Sequence, residues 1–279
     1  MSLISVDQLA ARIGQANAAA TIRVVDVRWY LNKPDAGLAA YEAGHIPTAI
    51  FADLETDLSD PRGLGAPGRH PLPTPAAFRE RMEMLGIASQ MLVVGYDDTN
   101  GTVAARLWWM LDNLGHRGGV AVLDGGVQAW LAAGLPLATD EPHYPHAALE
   151  LGDEWHHVIK RDDLAARLDY VTVLDARAGE RYRGETEPID LIPGHIPGAV
   201  SAPASGNVGA DGRFLAPSEL RERFAALATG KPFVTSCGSG VVACHNALAM
   251  RQAGLPDPIL YAGSYSDWTR SGLPTEPQR

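Results

Sequence analysis

The 279-residue chain has two cysteines, Cys237 and Cys244. Two cysteines make no disulfide framework, and such sparing use fits a reducing compartment, so a cytoplasmic setting is expected. No stretch of about 18 consecutive apolar residues occurs, so no membrane-spanning helix is expected. The opening residues, Met1 to Asp7, lack a basic segment followed by a long apolar core, and no signal peptide is read there. Basic residues are outnumbered: 23 Lys and Arg stand against 33 Asp and Glu, for a net charge of −10. That balance argues against nucleic acid as a partner. No zinc-ligand spacing, glycine-rich dinucleotide fingerprint or P-loop is found, so no metal and no cofactor is expected.

What is present is one unit written twice. Leu9-Ala10-Ala11-Arg12 returns as Leu164-Ala165-Ala166-Arg167, and Val25-Asp26-Val27-Arg28 loosely as Leu174-Asp175-Ala176-Arg177. Gly44-His45-Ile46-Pro47 returns as Gly194-His195-Ile196-Pro197. Asp124 to Trp130 matches Ala262 to Trp268, and Gly134-Leu135-Pro136 matches Gly272-Leu273-Pro274. Five blocks in one order mark a duplication with small insertions and deletions. Each copy alternates β-branched runs (21–27, 91–96, 171–175) with helical patterns (7–16, 103–114, from 217, from 241). Thr74 and Pro75 form an N-cap and N1 pair that opens another helix. Alternation of this kind predicts an α/β fold of two mostly parallel sheets flanked by helices. The expected domains are 1–138 and 158–279, with the polar, proline-bearing segment 139–157 as a linker.

The copies differ at one place that carries chemistry. A buried strand ending at Ser236 runs into Cys237-Gly238-Ser239-Gly240-Val241-Val242, and a helical pattern follows. A thiol at a strand end, in a glycine loop before a helix N-terminus, is surrounded by N–H groups that favour the thiolate. Without that context a free Cys is a small buried hydrophobe, which is the simpler reading of Cys244 on the helix face; a dithiol switch between Cys237 and Cys244 is the alternative. The first copy carries Asp97 where the second carries Cys237, so one loop alone is expected to do thiol chemistry. A Cys-x5-Arg phosphatase loop is excluded, because Ala243 stands where its phosphate-binding arginine would be.

These blocks together resemble the tandem-domain rhodanese-type sulfurtransferases, the thiosulfate and mercaptopyruvate sulfurtransferase family. The resemblance implies two rhodanese-like domains, an inactive first and a catalytic second, with the active site between them. It implies a persulfide on Cys237, loaded from thiosulfate or mercaptopyruvate and emptied by cyanide, a thiol, or a reductant such as thioredoxin, with no membrane partner. It assigns Ser239, His70 and Glu55 to a catalytic relay, with Asp53 as the other candidate for its acid. It assigns Arg181, Gly238, Gly240, Val241 and Val242 to substrate binding. The Cys-Gly-Ser-Gly-Val loop is similar to that of the mercaptopyruvate enzymes, although Val242 replaces their threonine. Those enzymes use a second arginine after a Pro-Glu-Pro segment. Here Glu187-Pro188-Ile189-Asp190 has none, and Asp190 stands where a cation is expected. The alternative function is a non-catalytic sulfur-binding or redox-sensing module of the same fold.

Overall fold

In a computed structural model the structure describes residues 2–60 and 68–277. They form two compact units. The first comprises residues 2–60 with Pro73–His156 and Ala210–Arg213; the second comprises residues 68–72 with His157–Gly209 and 214–277.

The first unit runs β1 (Leu3–Ile4), α1 (Val6–Ile13), α2 (Ala18–Thr21), β2 (Ile22–Asp26), α3 (Ala36–Ala43), β3 (Ile50–Phe51), α4 (Pro75–Met84), β4 (Leu92–Tyr96), α5 (Ala104–Asn113), β5 (Val120–Leu123) and α6 (Gly126–Ala132). The second runs α7 (Arg161–Ala165), β6 (Thr172–Asp175), α8 (Gly179–Tyr182), β7 (Val200–Ser201), α9 (Pro217–Leu227), β8 (Phe233–Ser236), α10 (Ala243–Gln252), β9 (Ile259–Leu260) and α11 (Ser264–Arg270). The sheet orders are β1-β5-β4-β2-β3 and β7-β6-β8-β9. Every strand pair is parallel.

Burial on both faces explains why the strand centres are apolar, as with Val24 and Val25 in β2 and Val173 and Leu174 in β6. On β6, Val173 packs with Val234, Tyr261 and Trp268 on one face, while its neighbour Leu174 packs with Leu220, Phe224 and Met250 on the other. That is the two-residue period of a pleated strand. In the first unit Val24, Val94 and Ala121 from three adjacent strands meet Trp130 of α6.

The repeated blocks build the same contacts twice. Asp26 holds Arg28 through two carboxylate oxygens, and Arg28 Nη2 donates to Gly44 O at 2.8 Å. Asp175 holds Arg177 likewise, and Arg177 Nη2 donates to Gly194 O at 2.7 Å. His45 stacks on Tyr41 at 4.0 Å, and His195 on Tyr182 at 3.9 Å. Trp130 and Trp268 donate to Pro136 O and Pro274 O at 2.9 and 2.8 Å. These residues pin loops, which is why both copies keep them.

Several elements depart from the pattern read in the sequence. The helix expected over 7–16 stops at Ile13, because Gly14 is a weak helix former and takes the C-cap. The helix expected from Val241 begins at Ala243, because Gly240 adopts φ +80° and the loop turns inward first. Helices α3 and α8 escaped the periodicity, α3 being weakly amphipathic and α8 four residues long, yet they carry Tyr41 and Tyr182 under the two histidines. Thr74 caps α4 as read, accepting from Ala77 N at 3.2 Å, with Pro75 at N1. The segment 139–157 packs largely with the first unit: Ala147 N donates to Glu83 O at 3.0 Å, and Trp155 stacks on Trp109 at 5.8 Å.

Candidate active site

Strand β8 ends at Ser236 in the middle of its sheet, between β6 and β9. The chain beyond it is held from several sides. Thr235 Oγ1 donates to Ala243 O at 3.0 Å, tying the strand to the start of α10. Tyr265 N and Ser266 N, in the first turn of α11, donate to Cys237 O and Gly238 O at 3.0 and 2.9 Å. Ser264 Oγ accepts from Cys237 N at 3.0 Å and donates to Tyr261 O at 2.9 Å. Ser264 is left-handed, at φ 52°, a conformation that a non-glycine residue rarely takes. That backbone aims its hydroxyl at the cysteine.

Cys237 is 2% exposed. Its Sγ accepts from Ser239 N at 3.4 Å and from Gly240 N at 3.1 Å. Two N–H groups aimed at one sulfur favour negative charge on it. Gly240 is required twice over, by its positive φ and because a Cβ there would lie 2.2 Å from Ala262 O. The carbonyls of Val241 and Val242 accept from Cys244 N and His245 N at 3.1 and 3.0 Å as α10 begins. Cys244 is buried on α10, its Sγ against Gly240 O at 3.4 Å. Both cysteines are free thiols.

Ser239 Oγ lies 2.8 Å from His70 Nδ1. His70 comes from far upstream, yet residues 68–72 fold as part of the second unit. Gly68 makes this possible: at φ +86° it approaches Gly263 so closely that a Cβ would lie 2.5 Å from Gly263 O. Glu55 lies in the first unit, where it accepts from Trp29 Nε1 at 3.1 Å. Asp53 caps the turn after it, accepting from Glu55 N and Thr56 N at 2.8 and 3.0 Å.

Arg181 comes from α8. Its Nη2 donates to Glu187 Oε1 at 2.7 Å and to Asp190 Oδ2 at 2.9 Å, and its Nε reaches both oxygens of Glu187 at 3.2 Å. Glu187 also accepts from Ile189 N and Asp190 N, closing the turn that aims Asp190 inward. Burial raises the Glu187 carboxyl pKa, but the Arg181 hydrogen bond and the two backbone N–H groups outweigh it and hold the group below the ordinary glutamate range. The acid read in place of a cation thus sits beside two cations, because Asp190 Oδ1 accepts from Arg69 Nη1. Sequence reasoning missed Arg69 and Ser264. The signals were there: Arg69 adjoins His70, and Ser264 occupies the repeat position of Gly126.

Two copies of one α/β unit, one ending its central strand in a sulfur cradled by N–H groups, fit a known pattern. The rhodanese-like domain pattern matches residues 5–133 and 160–271. The chain belongs to the rhodanese-like family. A Pseudomonas aeruginosa protein named "Probable 3-mercaptopyruvate sulfurtransferase" is 46% identical over 282 residues, covering 99% of this chain and 96% of that one. The Rattus norvegicus thiosulfate sulfurtransferase is 34% identical, covering 98% and 93%. The solved 3-mercaptopyruvate sulfurtransferase from Leishmania major superposes with a TM-score of 0.85 at 32% identity, covering 98% of this chain and 75% of that one. In the loop itself Gly238 and Ser239 bring no cation, so any positive charge near the sulfur must come from other segments.

Proposed function

We propose that the protein takes sulfane sulfur onto Cys237 from a 3-mercapto-2-oxo acid of the mercaptopyruvate type in preference to thiosulfate. That the chain is a sulfurtransferase follows from its family and its relatives. The observation carrying the donor reading is the bond between Ser239 Oγ and His70 Nδ1, placed beside a sulfur that accepts two N–H groups. The Cys237 thiolate attacks the donor sulfur and forms the S–S bond. The donor's C–S bond breaks, and its electron pair goes to carbon as the enolate of the oxo acid. Ser239, backed by His70, donates a hydrogen bond to that developing enolate oxygen, a role that their 2.8 Å contact supports. The enolate takes up a proton and leaves as pyruvate. With thiosulfate the S–S bond breaks instead and sulfite leaves with the pair, which needs no such group. A thiol or cyanide acceptor then removes the outer sulfur. A thioredoxin-type dithiol in a reducing, cytoplasmic setting suits that last step, as do two thiols that stay free.

Paired steady-state kinetics on the two donors test this, with intact mass of the protein after each donor. The expected result is a gain of one sulfur from both, a higher kcat/KM for mercaptopyruvate, and a loss in Ser239→Ala that falls mainly on mercaptopyruvate. A thiosulfate preference, or equal losses on the two donors, overturns the donor reading. No sulfur gain from either donor overturns the Cys237 mechanism and favours a binding module.

A further inference from the structure

We infer that Arg69 is the second anion-binding arginine of this site and that Asp190 is the residue that positions it. The inference rests on the donor reading above and assigns the donor's carboxylate a place.

A guanidinium carries five N–H bonds, and a purely structural arginine spends them. Arg181 spends Nε and Nη2 on Glu187 and Asp190. Arg177 spends its donors on Asp175, Glu187 and Gly194 O. Arg69 spends Nη1 on Asp190 and its backbone N–H on Ser266 Oγ, at 3.1 Å for the latter. Its Nε is buried with no hydrogen-bond partner among the described residues. A buried donor left unpaired carries a desolvation penalty that an incoming acceptor relieves. Nε and Nη2 together form the lateral edge of the guanidinium, the edge that takes a carboxylate through two parallel bonds.

The position of that edge decides its use. A Cβ placed on Gly238 would lie 2.7 Å from Arg69 Nη2, and 3.6 and 3.7 Å from Arg181 Nη1 and Nη2. Two guanidiniums therefore crowd one residue, the one that follows Cys237. Glycine at 238 leaves the room, and any side chain there would push Arg69 aside. Asp190 is 1% exposed at its side chain, Arg69 21% and Arg181 17%, so the carboxylate is the buried anchor and the cations face outward from it. Asp190 neutralises part of the charge while turning the free edge of Arg69 toward the cysteine loop. Arg69 thus supplies, from a segment upstream of the whole second copy, the cation that Glu187-Pro188-Ile189-Asp190 lacks.

The chemistry recognised is an oxyanion a few bonds from the sulfur under attack, which a 2-oxo acid carboxylate and the sulfonate end of thiosulfate both offer. The test measures kcat/KM for wild type, Arg69→Ala and Arg69→Lys on 3-mercaptopyruvate, its carboxamide and thiosulfate. The ratio of acid to amide within one preparation does not depend on how much of it is folded. The expected result is a fall of roughly 10- to 100-fold in that ratio for Arg69→Ala, carried mainly by KM, the size of a lost charged hydrogen-bond pair. Arg69→Lys keeps the charge but not the fork, and should recover only part of the ratio. A larger loss on thiosulfate than on mercaptopyruvate assigns the fork to the sulfonate instead and overturns the carboxylate assignment. An acid-to-amide ratio unchanged in both variants overturns the role of Arg69 altogether. A wild-type protein that gains sulfur but shows no acid preference overturns this inference and leaves the Cys237 chemistry standing.

Discussion

The turns after β4 and β8 share a backbone plan and differ in what fills them. After β4, the Asp97 carboxylate accepts from four backbone N–H groups: Thr99 and Gly101 at 2.8 Å on Oδ1, Val103 and Ala104 at 2.8 and 2.9 Å on Oδ2. After β8, a single sulfur accepts from two, those of Ser239 and Gly240. One loop has closed on an anion of its own. The other offers its N–H groups to the sulfur on which the proposed transfer takes place. Matching contacts hold both: Val127 N donates to Asp97 O at 3.0 Å and Tyr265 N to Cys237 O at 3.0 Å. The comparison teaches that a cradle for negative charge is a property of this strand-to-helix turn, and that one side chain decides whether it is a structural cap or a reaction site.

Chemistry should separate the two turns most sharply. Cys237→Ser should abolish the gain of one sulfur by intact mass, with no residual labelling of the first unit; a remaining adduct would place the chemistry elsewhere. Stability should separate them in the opposite direction. Asp97→Ala strips four N–H groups of their acceptor, three of them buried, and should destabilise the protein by about 3–5 kcal/mol, the scale for breaking a buried charged network. Chemical denaturation followed by far-UV circular dichroism reads it, and a loss under about 1 kcal/mol would mean the carboxylate is dispensable.

Glycine usage gives a smaller contrast. Asn100 at φ 61° occupies the repeat position of Gly240 at φ 80°. Gly240→Ala meets Ala262 O and should cost about 2 kcal/mol or more and most of the activity. Asn100→Gly should stay within about 1 kcal/mol of wild type. Similar melting shifts for both would deny the difference between the loops.

The smallest effect concerns acid. Glu187 is held below its ordinary range in the folded protein, so its contribution to stability is fully present above about pH 4.5 and is lost as pH falls through the depressed folded value. Glu187→Gln should lower stability at pH 7 and flatten the acid limb of a stability–pH curve. An unchanged acid limb would remove Glu187 from the network.

Much of this was legible from residues near each other in the chain. The duplication, the parallel α/β class, the Asp97-for-Cys237 exchange and the capped start of α4 all follow from local pattern. The Ser239–His70 bond was legible through family likeness, since nothing local ties the two residues together. What stayed hidden has a common cause. Ser264 looks ordinary until its left-handed backbone turns the hydroxyl onto Cys237 N, and backbone angle leaves no mark in residue identity except where glycine is used. Asp190 read as a mismatch because its partner Arg69 is 121 residues away in sequence.

The sequence by itself determined that, of two duplicated turns, one carries a thiol and the other a carboxylate. Residue identity and a short stretch of chain suffice for that, since a carboxylate cannot carry a persulfide. Only the tertiary structure decided which charges stand beside it. Ion pairs are fixed by distance in space, and the fold carried residues 68–72 into the second unit, where Gly68 approaches Gly263 and Asp190 meets both Arg69 and Arg181.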